Sequence, residues 1–196
     1  PESVPDFERG ACPVKSMVQI SHDFLAPVLH AQAVCLDGTF GQGKDTAFFL
    51  DSNAAKVYAF DVQPALVEQG KAKFRTDKAE IFNLSHEDLD QALAAETRML
   101  DAVIFNFGWD PAQKGGIETS PESSVKGVLA AFERLRPKGR MALVFYPHPQ
   151  GKAEEERVLA ALKPLNGRME AVMAVHPFLD NAPKACLIQK RKGLRP

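Results

Sequence analysis

Asp37, Gly41, Gly43, Asp45 and Asp61, followed by Asn106, Trp109 and His148, are the residues whose types and spacing could do chemistry. The first four lie in residues 37–46, Asp-Gly-Thr-Phe-Gly-Gln-Gly-Lys-Asp-Thr, between the apolar runs 33–36 and 47–50. The pattern predicts a strand that turns through glycines into a helix. Glycine can adopt positive φ and, lacking a Cβ, lets the backbone come close to a ligand. The helix start adds unpaired N–H groups. Such a turn cradles a nucleotide or a nucleoside, or is merely a tight turn with a helix cap.

Spacing separates three ligands. A dinucleotide turn needs G-x-G-x-x-G; Gly41 and Gly43 fit, but Thr46 holds the third place. A polyphosphate loop needs G-x-x-x-x-G-K followed by Ser or Thr, and residues 38–44 comply until Asp45 replaces the hydroxyl. A carboxylate there would face the phosphates and occupy the positive helix end, although residues 57–61, Val-Tyr-Ala-Phe-Asp, could pass for the Asp-ended strand of an NTPase. The third ligand, S-adenosylmethionine, carries a cationic sulfur, an amino acid head and a ribose, and so favours acids. Asp37 ends one strand, Asp45 opens the helix and Asp61 ends the next strand, where a carboxylate can accept from both ribose hydroxyls. D-x-x-x-G-x-G with a strand-final Asp is the methyltransferase arrangement, so Asp37, Gly41, Gly43, Asp45 and Asp61 are the expected cofactor contacts.

These residues need a frame. A helix is expected near 18–29, strands near 33–37, 57–62, 80–84, 101–106, 139–146, 169–175 and 185–190, and helices over 63–75, 86–95, 121–136 and 152–165. Strands separated by helices imply right-handed crossovers and a parallel sheet. The last two strands have no helix between them and should form an antiparallel hairpin at the edge. In such sheets ligands bind beyond the strands' carboxyl ends, which brings Ser85 and His86, and then residues 106–109, Asn-Phe-Gly-Trp, to the site. Ser85 and His86 can face an adenine, and Ser85 can also cap the helix that follows. Methyl transfer is an in-line displacement in which orientation supplies much of the rate. An amine acceptor must be neutral, although an alkylamine is mostly protonated at neutral pH, so the site must favour the neutral form. Asn106 can offer its amide oxygen and Trp109 a flat face for a base; a plain turn with a core-plugging indole is the alternative.

Composition bounds the partners. The chain has 196 residues, 45% apolar and 25% charged, enough for one globular domain, expected over 17–196 after an irregular segment 1–16. Cys12, Cys35 and Cys186 are odd in number and show no C-x-x-C spacing, which points away from zinc, other metals and a disulfide framework. A cytoplasmic protein with neither signal segment nor membrane span is expected. Net charge is -1, yet residues 1–100 hold 9 basic against 15 acidic side chains and residues 101–196 hold 15 against 10. The acidic half is the cofactor half, and the basic half suits a nucleic acid partner or is an ordinary solvated surface.

Taken in order, the motifs are residues 37–46, Y-A-F-D-V-Q at 58–63, S-H at 85–86, F-N-F-G-W at 105–109, S-S-V-K at 123–126 and Y-P-H-P-Q-G-K-A-E at 146–154. With them, nearly the whole chain from Ile20-Ser21-His22 to Gln189-Lys190 resembles the small bacterial S-adenosylmethionine-dependent rRNA methylases. That family includes tRNA wobble-uridine methyltransferases acting on 5-aminomethyl-2-thiouridine. The resemblance implies a Rossmann-like class I α/β fold: a doubly wound, mostly parallel seven-stranded sheet. It also implies cofactor contacts from Gln42, Gly43, Asp45, Asp61, Gln63, Ser85 and His86, and an acceptor site near Asn106, Trp109 and His148, the last as proton acceptor or phosphate contact. The expected partner is RNA at a tRNA anticodon region, with a homodimer left open. Residues 146–148 lack a histidine that family members often carry, and Gly115-Gly116 stands where a Gly-Asp-Lys type sequence is common. Ribosomal RNA or a small molecule as methyl acceptor, an NTPase, and a non-catalytic RNA-binding protein are the competing readings.

Overall fold

Strands that are apolar along their length need cover on both faces, and the helices between them supply it. The computed structural model describes residues 14–107, 119–179 and 181–193. Its elements are α1 (Met17–Leu25), β1 (Val34–Asp37), α2 (Lys44–Asp51), β2 (Lys56–Phe60), α3 (Pro64–Lys73), β3 (Ala79–Phe82), α4 (Leu89–Ala92), β4 (Leu100–Phe107), α5 (Pro121–Arg134), β5 (Leu135–Phe145), α6 (Pro149–Leu162), β6 (Met169–Ala174) and β7 (Lys184–Lys190). One seven-stranded sheet runs in the order β3-β2-β1-β4-β5-β7-β6. β1 to β5 pair in parallel, while β7 pairs antiparallel with both β5 and β6. The expected fold class is therefore present, and β7 of the terminal hairpin lies inside the edge strand β6.

Successive side chains of a strand point to opposite faces, and the sequence fills both. Leu36, Phe60, Phe105, Phe107, Leu143 and Phe145 meet Leu89, Val128, Phe132 and Val158 of α4, α5 and α6 on one face. Cys35, Val57, Ile104 and Val144 meet Met17 and Leu25 of α1 and Phe49 of α2 on the other. The rings of Phe105, Phe107 and Phe145 stack in sequence at 5.4 Å and 5.4 Å, which ties β4 to β5 just below their carboxyl ends.

Three boundaries differ from expectation. The first helix stops at Leu25 and continues as a 3-10 turn over Ala26–Val28, because Pro27 has no N–H to give an α-helical ladder. The helix expected over 86–95 is a 3-10 turn, His86–Asp88, followed by the four-residue α4. β5 begins at Leu135, directly after α5, since fully buried Leu135 pairs with Leu100. The register then shifts before Ala102. Among the described residues, no helix is long and apolar enough to cross a membrane.

Candidate active site

The glycine turn lies across three strand ends. Gly38 N–H donates to the Ile104 carbonyl at 2.9 Å and Phe40 N–H to the Phe60 carbonyl at 2.8 Å, so the segment after β1 is laced to β4 and β2. Gly41 and Gly43 take φ of 51° and 72°, and Gly43 caps α2. A Cβ on Gly43 would lie 2.7 Å from the Phe40 ring and 2.8 Å from the Phe74 ring. A side chain there would be strained and would collide with that packing, so the turn into α2 depends on glycine.

The acids divide the work. Asp61, half-buried just beyond β2, accepts the N–H groups of Gly41 at 2.8 Å and Gln63 at 2.9 Å, fastening the turn to the second strand. Asp37 is fully buried and accepts from Thr46 N–H at 3.0 Å, Thr46 Oγ1 at 2.7 Å and Thr39 N–H at 3.3 Å. Its carboxyl is pushed up to about 8, first by burial and then by the neighbouring charge of Asp45. Asp37 therefore shapes the turn from below and presents no oxygen to solvent.

Asp45 is the junction of three elements. Its Oδ1 lies 2.5 Å from His22 Nε2 of α1, and its Oδ2 accepts from Asn106 Nδ2 of β4 at 2.6 Å. The Asn106 N–H donates to Thr39 Oγ1 at 2.7 Å. A carboxylate only accepts, so the amide nitrogen of Asn106 must face Asp45 and its oxygen must face away. That oxygen is buried and has no hydrogen-bond partner among the described residues. His22 lies flat on Phe48, with centroids 3.9 Å apart and planes 2° apart. Tyr146, just beyond β5, keeps its phenolic proton more firmly than usual, through burial and then the charge of Asp45.

The remaining expected residues occupy varied places. Gln42 is exposed on the turn, and Gln63 is the N-cap residue of α3. Ser85 accepts from Glu87 N–H at 3.3 Å and caps the 3-10 turn. His86 is 6% exposed, edge-on to Phe105 at 5.5 Å, and held to about 4 by burial, so it is neutral and sits behind the rim. His148 caps α6: its Nδ1 accepts Gly151 N–H at 3.1 Å, which takes the lone pair that a proton acceptor would need. Trp109 lies outside the described residues. Residue spacing alone does not single out His22. It stands 23 residues before Asp45 on a helix ahead of the turn, and its only signal was its place at the start of the family resemblance. Among the described residues, no three His, Cys, Asp or Glu side chains cluster as metal ligands.

With this geometry in view, known proteins fall into place. A family model described as "Putative rRNA methylase" matches residues 57–190. The glycine turn precedes that stretch. A "putative methyltransferase" of Streptococcus mutans, solved in complex with S-adenosylhomocysteine, superposes with a TM-score of 0.78 at 28% identity, covering 90% of this chain and 99% of that one. An rRNA methylase of Streptococcus thermophilus gives 0.73 at 28% identity, over 91% and 99%. The chloroplastic tRNA (mnm(5)s(2)U34)-methyltransferase of Arabidopsis thaliana is 29% identical over 161 residues, 74% of this chain and 58% of that protein, so the chain spans little more than half of that relative's length.

Proposed function

The chain belongs to the rRNA methylase family, and from that premise we propose that it is an S-adenosylmethionine-dependent methyltransferase that N-methylates an amine on an RNA base. The favoured acceptor is the 5-aminomethyl group of a tRNA wobble uridine. One observation carries the acceptor half of this reading: at the end of β4, Asn106 has its amide nitrogen pinned by Asp45 and its buried oxygen unpartnered among the described residues. An unmatched buried acceptor costs about 1–3 kcal/mol. An amine N–H relieves that cost, and the contact holds the nitrogen by a proton while its lone pair points elsewhere.

The donor half rests on the turn. Gly41 takes positive φ with open space beside it, and Gly43 takes positive φ with no room for a side chain against Phe40 and Phe74, so the turn keeps the bare backbone that suits a nucleoside lying against the strand ends. Asp61, at the end of β2, is the residue to meet the ribose, with Gln42, Gln63 and Ser85 around the nucleoside. His86 acts from behind the rim by keeping the adenine wall rigid and uncharged. When bound, the cofactor supplies a methyl group already activated by a positive sulfur, so the protein's task is to orient the acceptor and keep it neutral. Asp45 adds negative charge on the donor's side, and Trp109 offers a stacking face for the base. The relative from Arabidopsis thaliana carries the wobble-uridine chemistry in its name, and this supports the choice of acceptor.

The test is direct. Bulk tRNA bearing unmethylated aminomethyl uridine is incubated with labelled cofactor and digested, and its nucleosides are resolved by mass spectrometry. A single methylated aminomethyl nucleoside is expected. Methyl incorporation only into ribosomal RNA redirects the substrate. No incorporation at all, together with magnesium-dependent ATP binding, overturns the reading.

A further inference from the structure

We propose that His22 is the proton acceptor of this site, an inference that rests on the amine reading above. A protonated amine has no lone pair for a methyl carbon, and alkylamines are largely protonated near neutral pH. A proton must therefore leave before transfer, and a positioned side chain is the efficient way to take it.

Among the described residues, the other candidates near the strand ends are already committed. Asp37 is buried beneath the turn on Thr46 and Thr39. Both Asp61 oxygens hold backbone N–H groups, and both Asp45 oxygens hold side chains. Tyr146 retains its proton, and His86 is packed behind the rim against Phe105 and Gly127. His148 has placed its Nδ1 lone pair on the α6 cap, which leaves Nε2 as the proton-bearing nitrogen. His176 follows β6, three strand positions from β4, about 14 Å across the sheet.

His22 is different. Its Nε2 faces a carboxylate that can only accept, so Nε2 carries the proton in the neutral ring and Nδ1 is bare. Nδ1 makes no hydrogen bond among the described residues, and the side chain is 20% exposed. Stacking on Phe48 fixes the ring plane. Asp45 holds His22 on one oxygen and Asn106 on the other, so the base and the amide that receives the amine are neighbours through one carboxylate.

In the step, the ammonium N–H bond breaks and its electron pair stays on nitrogen as the lone pair that attacks the methyl. The proton bonds to Nδ1 of His22, and the resulting imidazolium is stabilised by Asp45 until it passes the proton to water. Asp45 acts through His22 and Asn106, as a positioning residue.

His22→Gln tests this, because glutamine can still donate to Asp45 but cannot take a proton. Single-turnover methylation of an anticodon stem-loop carrying aminomethyl uridine is compared with the wild type, alongside calorimetry with S-adenosylhomocysteine. Expected are a rate lower by about a hundredfold or more, cofactor-product affinity within about threefold, and partial rescue of His22→Gly by added imidazole. A wild-type rate in His22→Gln, or no rescue of His22→Gly by imidazole, overturns the role of His22 alone. No transfer by the wild type to this RNA overturns the amine reading, and the inference with it.

Discussion

Truncation of Asn106 tests how stability and turnover separate at this site. Asn106→Ala deletes the 2.6 Å hydrogen bond to Asp45 and the unpartnered amide oxygen, while leaving the backbone bond to Thr39 in place. Hydrogen bonds to charged groups contribute about 1.5–3 kcal/mol. The substitution also removes an unmatched acceptor, which returns about 1–3 kcal/mol. These effects oppose each other, so the net loss of stability is expected to be under about 2 kcal/mol, or at most about 4–8 °C in Tm for a chain of this size. Turnover has no such compensation. Losing the contact that orients the amine should lower the single-turnover rate by about a hundredfold. Affinity for S-adenosylhomocysteine should change by less than about threefold, since Gly41, Gly43 and Asp61 make no contact with Asn106 among those described. Calorimetry and single-turnover kinetics on one preparation measure both quantities. Asn106→Asp sharpens the test, because it keeps an oxygen but sets a carboxylate beside Asp45, and one of the two must then hold a proton. Equal losses of affinity and rate in Asn106→Ala, or no loss of rate, would refute the assignment of Asn106 to the acceptor.

Gly43→Ala places a residue at φ 72° with its Cβ 2.7 Å from the Phe40 ring. A loss of about 1–3 kcal/mol and weaker binding of S-adenosylhomocysteine are expected, and denaturation with calorimetry would detect both. Asp61→Ala removes the acceptor of the Gly41 and Gln63 N–H groups, and should weaken S-adenosylhomocysteine by about tenfold or more in the same titration. Asp37 carries a raised pKa of about 8 against an ordinary 3.8, so the folded state binds the extra proton between those values, and the contribution of this group to stability falls as pH rises through that window. Asp37→Asn should flatten the slope of unfolding free energy from about pH 4 to 8, measured by urea denaturation across a pH series. An unchanged slope would show that Asp37 is ionised in the folded protein.

Much of the architecture could be read without coordinates. Apolar runs such as Val34-Cys35-Leu36 and residues 102–105, spaced by amphipathic helices, dictate a buried parallel sheet, and the terminal strands 169–175 and 185–190 without a helix between them dictate a hairpin. Local chemistry was equally legible at the glycine turn, where positive φ is a property of residue type. Of the boundaries that moved, the one at Leu135 was set by contacts, since Leu135 is drawn into pairing with Leu100 by burial and not by propensity.

The order of motifs in the chain fixed the fold, the glycine turn and the set of acids, because each depends on backbone conformation or on periodicity over neighbouring residues. Only the tertiary structure decided what each acid does. Asp37 faces inward to Thr46, Asp61 holds the turn, and Asp45 joins His22 and Asn106, residues 23 before it and 61 after it. His148, which looked available, is bound into a helix cap, and His22 gained its partner only when α1 packed beside α2. The reason is physical: the direction of a side chain and the occupancy of its lone pairs are set by elements distant in sequence, and no local pattern encodes them.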